Sequence, residues 1–344
     1  MAGADTSRFN NEALNWDKNP SVQEATRLAF ETLSPIIETL SERKKSRQGT
    51  GLDVLEVGCG TGLLTLRVAP LVHEIVAVDP AHGMIEVLKA KIYGGGNKST
   101  TAWEPPTSTT DEPRRLQSNN NNGNDINIHP ICTLLTNPND LSLPSQDKTQ
   151  PTGPRRKYDL ILSHLVMHHV PDLHLFLSTL FNCLLPGGRV ALTDFEDFGP
   201  EAIKFHPPGK LEGVERHGIK RDWIEDLMCE IGFVDVFVRT AFSLDKNVGE
   251  WEGHQVGDVM GFPYLVVEGG RPGLETGKME KTWRLTDASK ARNPHMVFPE
   301  KAESISNEFR RIVYIVLTDD ENPVHTEAKR PVDLFQTWSN EVDV

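Results

Sequence analysis

Three glycines and two carboxylates carry the clearest chemical signal in this sequence. Gly58, Gly60 and Gly62 follow an apolar run, Leu52 to Val57, and precede a helical pattern of Leu63, Leu66 and Val68. A tight strand-to-helix turn needs unusual φ/ψ values, and bare backbone lets a ligand lie close to a helix N-terminus. The spacing is G-x-G-x-G, and Leu63 stands where the dinucleotide fingerprint G-x-G-x-x-G has its third glycine. Glu56 ends the strand just before the turn. A carboxylate there repels a phosphate but attracts an ammonium or sulfonium group. A second strand, Glu74 to Val78, ends in Asp79, about where a carboxylate grips ribose hydroxyls. The set favours a cationic, phosphate-free nucleoside over NAD.

Histidines form the second group. His168 and His169 are adjacent in Ser163-His164-Leu165-Val166-Met167-His168-His169-Val170-Pro171-Asp172. They could form a metal or proton-transfer pair, but adjacent helical residues point apart and no third ligand is evident nearby, so packing is the competing account and no metal is expected. His206 and His217 lie between a fifth strand and the helix Arg221 to Ile231. Either could act as a base, anchor a substrate or cap a turn.

The motif ExGCGTG, from Glu56 to Gly62, resembles the first motif of class I S-adenosylmethionine-dependent methyltransferases. Leu184-Leu185-Pro186-Gly187-Gly188-Arg189-Val190-Ala191-Leu192-Thr193-Asp194 resembles a later motif of that superfamily, and Ser163 to Asp172 resembles its ubiquinone/menaquinone-biosynthesis-like branch. The resemblance covers about Asn15 to Arg271 and implies an α/β, Rossmann-like fold. It implies seven strands in the order 3-2-1-4-5-7-6, strand 7 antiparallel, with helices on both faces. It also implies S-adenosylmethionine as cofactor, bound by Glu56, Gly58, Cys59, Gly60, Gly62, Asp79, Pro80, Met84, Asp140, Leu141, Ser163 and His164. In the family an apolar residue at the position of Met84 lies against adenine and an acidic residue near Asp140 contacts its amino group. Met84 as core and Asp140 as a turn former are the alternatives. The N-terminal helix of related enzymes often covers the cleft, so Trp16 and Asp17 could close it.

The elements that must position these residues follow in chain order. Residues 1–14 are polar and read as a frayed N-terminus. A helix is expected from Ser21 to Arg43, with Ser21 and Glu24 as a capping box and Pro35 as a possible kink. Another runs from Ala81 to Tyr93. Residues 94–125 are dominated by Asn, Ser, Thr, Gly and Pro and read as a disordered insertion; 145–156 read as a shorter one of similar character. The third strand falls within Ile126 to Leu135 and the fourth at Tyr158 to Ser163. The methyltransferase domain is read as 15–271. Residues 272–344 form a C-terminal extension of unknown role, in which Phe309 to Leu317 could be a strand.

Composition bounds the function. A formal net charge of −13 opposes a broad nucleic-acid surface, although Arg43 to Arg47 offers a local basic run. Of four cysteines without CxxC spacing, Cys59 lies in the glycine turn and Cys132, Cys183 and Cys229 read as buried free thiols, in a reducing, cytoplasmic setting. No run approaches the length of a membrane span, and the N-terminus lacks the apolar core of a signal peptide. The expected activity is methyl transfer to a small-molecule acceptor, at O, N or C. A protein or RNA methyltransferase and a non-catalytic S-adenosylmethionine-binding protein are the alternatives.

Overall fold

The computed structural model describes residues 6–94 and 127–273, together with two short strands at 286–287 and 311–312. The chain divides into two units, Met1–Leu274 and Glu275–Val344. In the first, strands β1 (Asp53–Val57), β2 (Glu74–Asp79), β3 (Ile128–Cys132), β4 (Tyr158–His164), β5 (Leu184–Phe195), β6 (Val234–Asn247) and β7 (Val259–Gly270) form one sheet. Their order is β3-β2-β1-β4-β5-β7-β6, with β7 antiparallel to both neighbours and the other pairs parallel.

Strand alternation divides the core between the two faces. Leu55, Val57, Val76, Val78, Ile161, Val190 and Leu192 pack against α5 (Leu173–Cys183) and α6 (Arg221–Ile231). Val54, Ile75, Leu160 and Leu162 face the other way, onto Leu33 and Ile37 of α2 (Pro20–Gln48) and Leu64 and Val68 of α3 (Leu63–Val68). Ala77 packs with Ile85 and Leu88 of α4 (His82–Tyr93). Both faces are covered, as near-continuous apolar strands require.

Several expectations are corrected. Ser7–Trp16 is a helix, α1, and not a frayed end. Its polar sequence gains order from tertiary contact: Phe9, Ala13 and Trp16 pack on Met84 and Val87 of α4 and on Ala81 just before it. Residues 145–156 are also ordered. Arg155 is buried there and donates to the carbonyls of Leu143, Pro151 and Gly153, while Arg156 pairs with Asp53 and Glu74. The segment is held by guanidinium hydrogen bonds, which a count of apolar residues does not register. Asn19, not Ser21, caps α2, accepting from Ser21 N at 3.0 Å; Glu24 pairs with Arg27 instead of closing a capping box. α2 continues through Pro35. Cys59 and Cys183 are buried thiols, but Cys132 and Cys229 are exposed.

The basic run forms the last turns of α2. Lys44 pairs with Asp159, which also accepts from Asp53 N at 2.8 Å, so one of its cations fastens the helix to the sheet. Residues 95–126, which include most of the insertion read as disordered, lie outside the described residues. In the second unit, Arg311–Ile312 pairs antiparallel with Thr286–Asp287, inside the stretch expected to hold a strand. The rest of the C-terminal extension lies outside the described residues.

Candidate cofactor and acceptor site

The ends of β1, β2 and β4 meet at the glycine turn. Gly58, Gly60 and Gly62 all have positive φ, at 75°, 54° and 83°. They differ in what lies in front of them. A Cβ on Gly58 would meet Val166 Cγ2 at 2.2 Å, and one on Gly62 would meet Leu88 Cδ1 at 2.2 Å. One on Gly60 would meet nothing within 4 Å. Two glycines therefore permit close packing, and the middle one leaves open space.

Asp79 fastens this turn. Its two carboxylate oxygens accept from Gly60 N at 2.9 Å and Ala81 N at 2.8 Å, while burial raises its pKa. Each oxygen keeps a lone pair for a further donor. Glu56 is 2% exposed, its Oε2 has no hydrogen-bond partner, and burial pushes its carboxyl up to about 8. An orphaned buried acid beside open backbone is the environment a ligand cation would complete. Burial, and then the Glu56 charge, holds the Cys59 thiol well above its ordinary value.

The other expected cofactor residues have distinct positions. Met84 is buried beneath α1 with Ala13 and Ala81. Pro80, half-buried, follows Asp79 at the end of β2. Thr133 N donates to Asp79 O at 3.0 Å, and Asp140 lies one step further out, 3.4 Å from Thr133 Oγ1. Asp140 Oδ1 accepts from Ser142 N and Oγ, the work of a turn former. Leu141 is 72% exposed, in a loop groove with Asn139 and Arg155. Ser163 is buried and donates to Val57 O at 2.8 Å, which ties the end of β4 to the end of β1.

Beyond Ser163 the chain forms an imidazole wall. His164 Nδ1 meets Thr193 Oγ1 at 2.8 Å, and burial lowers its pKa to about 4. His168 lies on the short 3-10 turn Met167–His169, two residues past the Val166 that packs on Gly58. Its Nδ1 is 2.8 Å from Asp194 Oδ1, and Asp194 also accepts from the backbone N of His168 and Phe195. His169 Nδ1 is 2.7 Å from Gly213 O. His206 is 7% exposed, with ring centroids 5.2 Å from His168 and 6.0 Å from His169. Burial lowers His169 to about 3 and His206 to about 2, so both are neutral imidazoles. Such low proton affinity makes His206 a weak base near neutral pH.

His217 is not one of the clustered imidazoles, although the backbone N–H groups of the neighbouring Glu215 and Arg216 both donate to His168 O. It lines an open polar groove with Glu196, Lys220, Arg221 and Trp223, in which Arg221 already pairs with Glu196. Sequence reasoning missed the His168–Asp194 pair and the third histidine beside His168 and His169. The motif Leu184 to Asp194 held a signal for the first, since its terminal Asp lies at a strand end, where parallel sheets gather polar groups.

α1 spans both halves. Asp17, its C-cap, accepts from Thr61 Oγ1 and pairs with Lys91; Asn10 Oδ1 accepts from Gly83 N at 2.7 Å; the Phe9 ring lies 5.3 Å from that of His169.

Residues 25–236 match a family model described as a methyltransferase domain, and the chain belongs to that family, within the class I S-adenosylmethionine-dependent methyltransferases. S-adenosylmethionine is the cofactor, and Glu56, open Gly60 and Asp79 fit its cationic and ribose parts. A comparison with curated proteins gives no match. Similar solved structures include a methyltransferase of Thermotoga maritima at 16% identity, covering 77% of this chain and 97% of that one, with a TM-score of 0.43. The YcgJ protein of Bacillus subtilis is similar at 14% identity, over 71% of this chain and 99% of its own, with a TM-score of 0.45. Magnesium protoporphyrin IX methyltransferase of Synechocystis is similar at 16% identity, over 73% and 87%, with a TM-score of 0.42. Among the described residues no helix is long and apolar enough to cross a membrane.

Proposed function

We propose that the protein methylates a small-molecule acceptor at an oxygen, nitrogen or carbon atom, with the acceptor lying against the imidazole wall. The observation that carries this reading is the packing of Val166 on Gly58, which sets the loop bearing His168 and His169 next to the donor turn. The bound sulfonium supplies an already activated methyl group. The chain then has to bind, align and keep water out. Glu56 holds the ligand's positive end, Gly60 takes its body on bare backbone, and the spare lone pairs of Asp79 take ribose hydroxyls. Gly58, Cys59 and Gly62 shape the turn, Ser163 and His164 border the methyl, and Pro80, Met84, Asp140 and Leu141 are the adenine-side candidates.

Two features support a small acceptor. α1 bridges the donor turn and the imidazoles, and the net charge of −13 disfavours RNA. The stretch Ser163 to Asp172 supports the ubiquinone/menaquinone-biosynthesis-like branch, and the free cysteines support a cytoplasmic setting. The test is incubation with methyl-labelled S-adenosylmethionine against a metabolite fraction, bulk protein and RNA in parallel. Label should enter a low-mass product. Transfer only to the protein or RNA fraction would overturn the small-acceptor reading.

A further inference from the structure

Three imidazoles from two separate loops converge beside the acceptor side. One nitrogen of each of His168, His169 and His206 lies within 4.8 Å of one nitrogen of each of the others. The hydrogen bonds identify which nitrogens are free. The Asp194 carboxylate and the Gly213 carbonyl can only accept, so the Nδ1 atoms of His168 and His169 carry their protons and the Nε2 atoms present lone pairs. His168 Nε2 is buried without a hydrogen-bond partner, and so is His206 Nδ1, on residues 2% and 7% exposed. Two unpartnered buried nitrogens in one cluster carry a desolvation cost that an occupant would relieve.

The surroundings match those of a metal centre. The Asp194–His168 pair is the carboxylate–histidine arrangement that orients metal-bound imidazoles and raises their basicity. Phe195 and Phe205, stacked at 3.8 Å, wall the cluster on one side and provide an apolar shell. Trp251 Nε1 donates to His206 O at 3.1 Å and fixes the backbone of the third histidine. The ammonium of Lys246, over the Phe205 ring, opposes a second cation; the buried Asp194 carboxylate offsets it.

We propose that His168, His169 and His206 form a three-imidazole site for a divalent transition-metal ion. Zinc fits best, because three nitrogen ligands and one open position form its catalytic type of tetrahedral site. Ligand nitrogens around tetrahedral zinc stand about 3.3 Å apart, so binding closes the cluster by on the order of 1 Å through side-chain rotation. The site goes beyond the methyl-transfer reading and does not depend on it.

The experiment uses the full chain, stripped by a chelator and titrated with Co²⁺ under visible absorption, then with Zn²⁺ in competition. The expected result is saturation near one equivalent, with d–d bands of low coordination number, no near-ultraviolet thiolate band, and displacement by Zn²⁺. His206→Asn and His168→Gln should each abolish the spectrum, and Asp194→Asn should weaken binding by about 10–100-fold. His73→Gln, in the half-exposed Asp53, His73 and Glu74 group, should leave it unchanged. If the histidine variants misfold, the wild-type titration still decides. Absence of a Co²⁺ spectrum, a thiolate band, or undiminished binding in a folded His206→Asn protein would each overturn the site.

Discussion

Asp17 and Thr61 join the N-terminal helix to the centre of the glycine turn. The carboxylate of Asp17 accepts from the Thr61 hydroxyl and pairs with Lys91, whose ammonium also donates to the Thr61 carbonyl at 2.7 Å. Both partners of the ion pair are mostly shielded from solvent, so screening takes little from it. Asp17→Ala should release α1 from the turn at a cost of about 1.5–3 kcal/mol in charge-assisted hydrogen bonding. Faster dissociation of S-adenosylmethionine in stopped flow and earlier proteolysis near the exposed Leu14 would follow. Unchanged rates would mean that α1 is held by its packing on α4 and its other hydrogen bonds, without need of Asp17.

The glycines should separate folding from binding. Alanine at Gly58 collides with Val166 and must also adopt a positive φ, so its main effect should be on thermal stability. Alanine at Gly60 meets no atom and bears only the left-handed backbone penalty of about 1–2 kcal/mol. Its methyl group enters the open space in front of the turn, so cofactor affinity should fall far more than the melting temperature. Calorimetry and melting curves on the two variants test this. Equal loss of affinity and stability in both would contradict the assignment of that space to the ligand.

Glu56 should make both stability and binding depend on pH. Its folded-state pKa, raised to about 8 by burial, lies above the ordinary value of 4.5, so the fold favours the protonated form. The corresponding stability is fully present below the unfolded pKa and is lost as pH rises towards about 8. The ligand-free protein should therefore lose stability as pH rises from the ordinary value of 4.5 towards about 8, and Glu56→Gln should remove that slope. A bound cation reverses the preference. Binding of S-adenosylmethionine at neutral pH should expel a proton, seen as a buffer-dependent calorimetric enthalpy that disappears in Glu56→Gln.

The proposed donor half was more legible in the sequence than the proposed acceptor half. Glu56, the glycines and Asp79 fall within one strand–turn–helix–strand unit, where spacing reflects geometry directly. The strand order was legible through the resemblance, and β6 and β7 extend further than their apolar patterns suggest because each supports the other along a long hairpin. α1 was hidden because its order comes from α4, not from its own composition. The segment at 145–156 was hidden because two arginines hold it, and hydrophobic content does not measure them. The histidine cluster was hidden for a different reason. His206 lies on another loop, and only the packed sheet brings its ring to His168.

The separation in sequence between the groups of the acceptor wall affects the order in which the site can assemble. The core of the donor turn closes locally, with Asp79 reaching Gly60 across 19 residues, while Ser163 joins it to β4 across 106. The wall waits for distant partners: Arg216 caps the carbonyls of Met167, Val170 and Pro171 from the far side of β5, and Arg8 reaches the carbonyl of Lys210 across 202 residues. Loop-closure entropy is lost before such contacts return any enthalpy. During refolding the Gly60–Asp79 turn should thus form ahead of the wall, leaving an interval in which the ribose-side turn exists with nothing aligned to receive the methyl group.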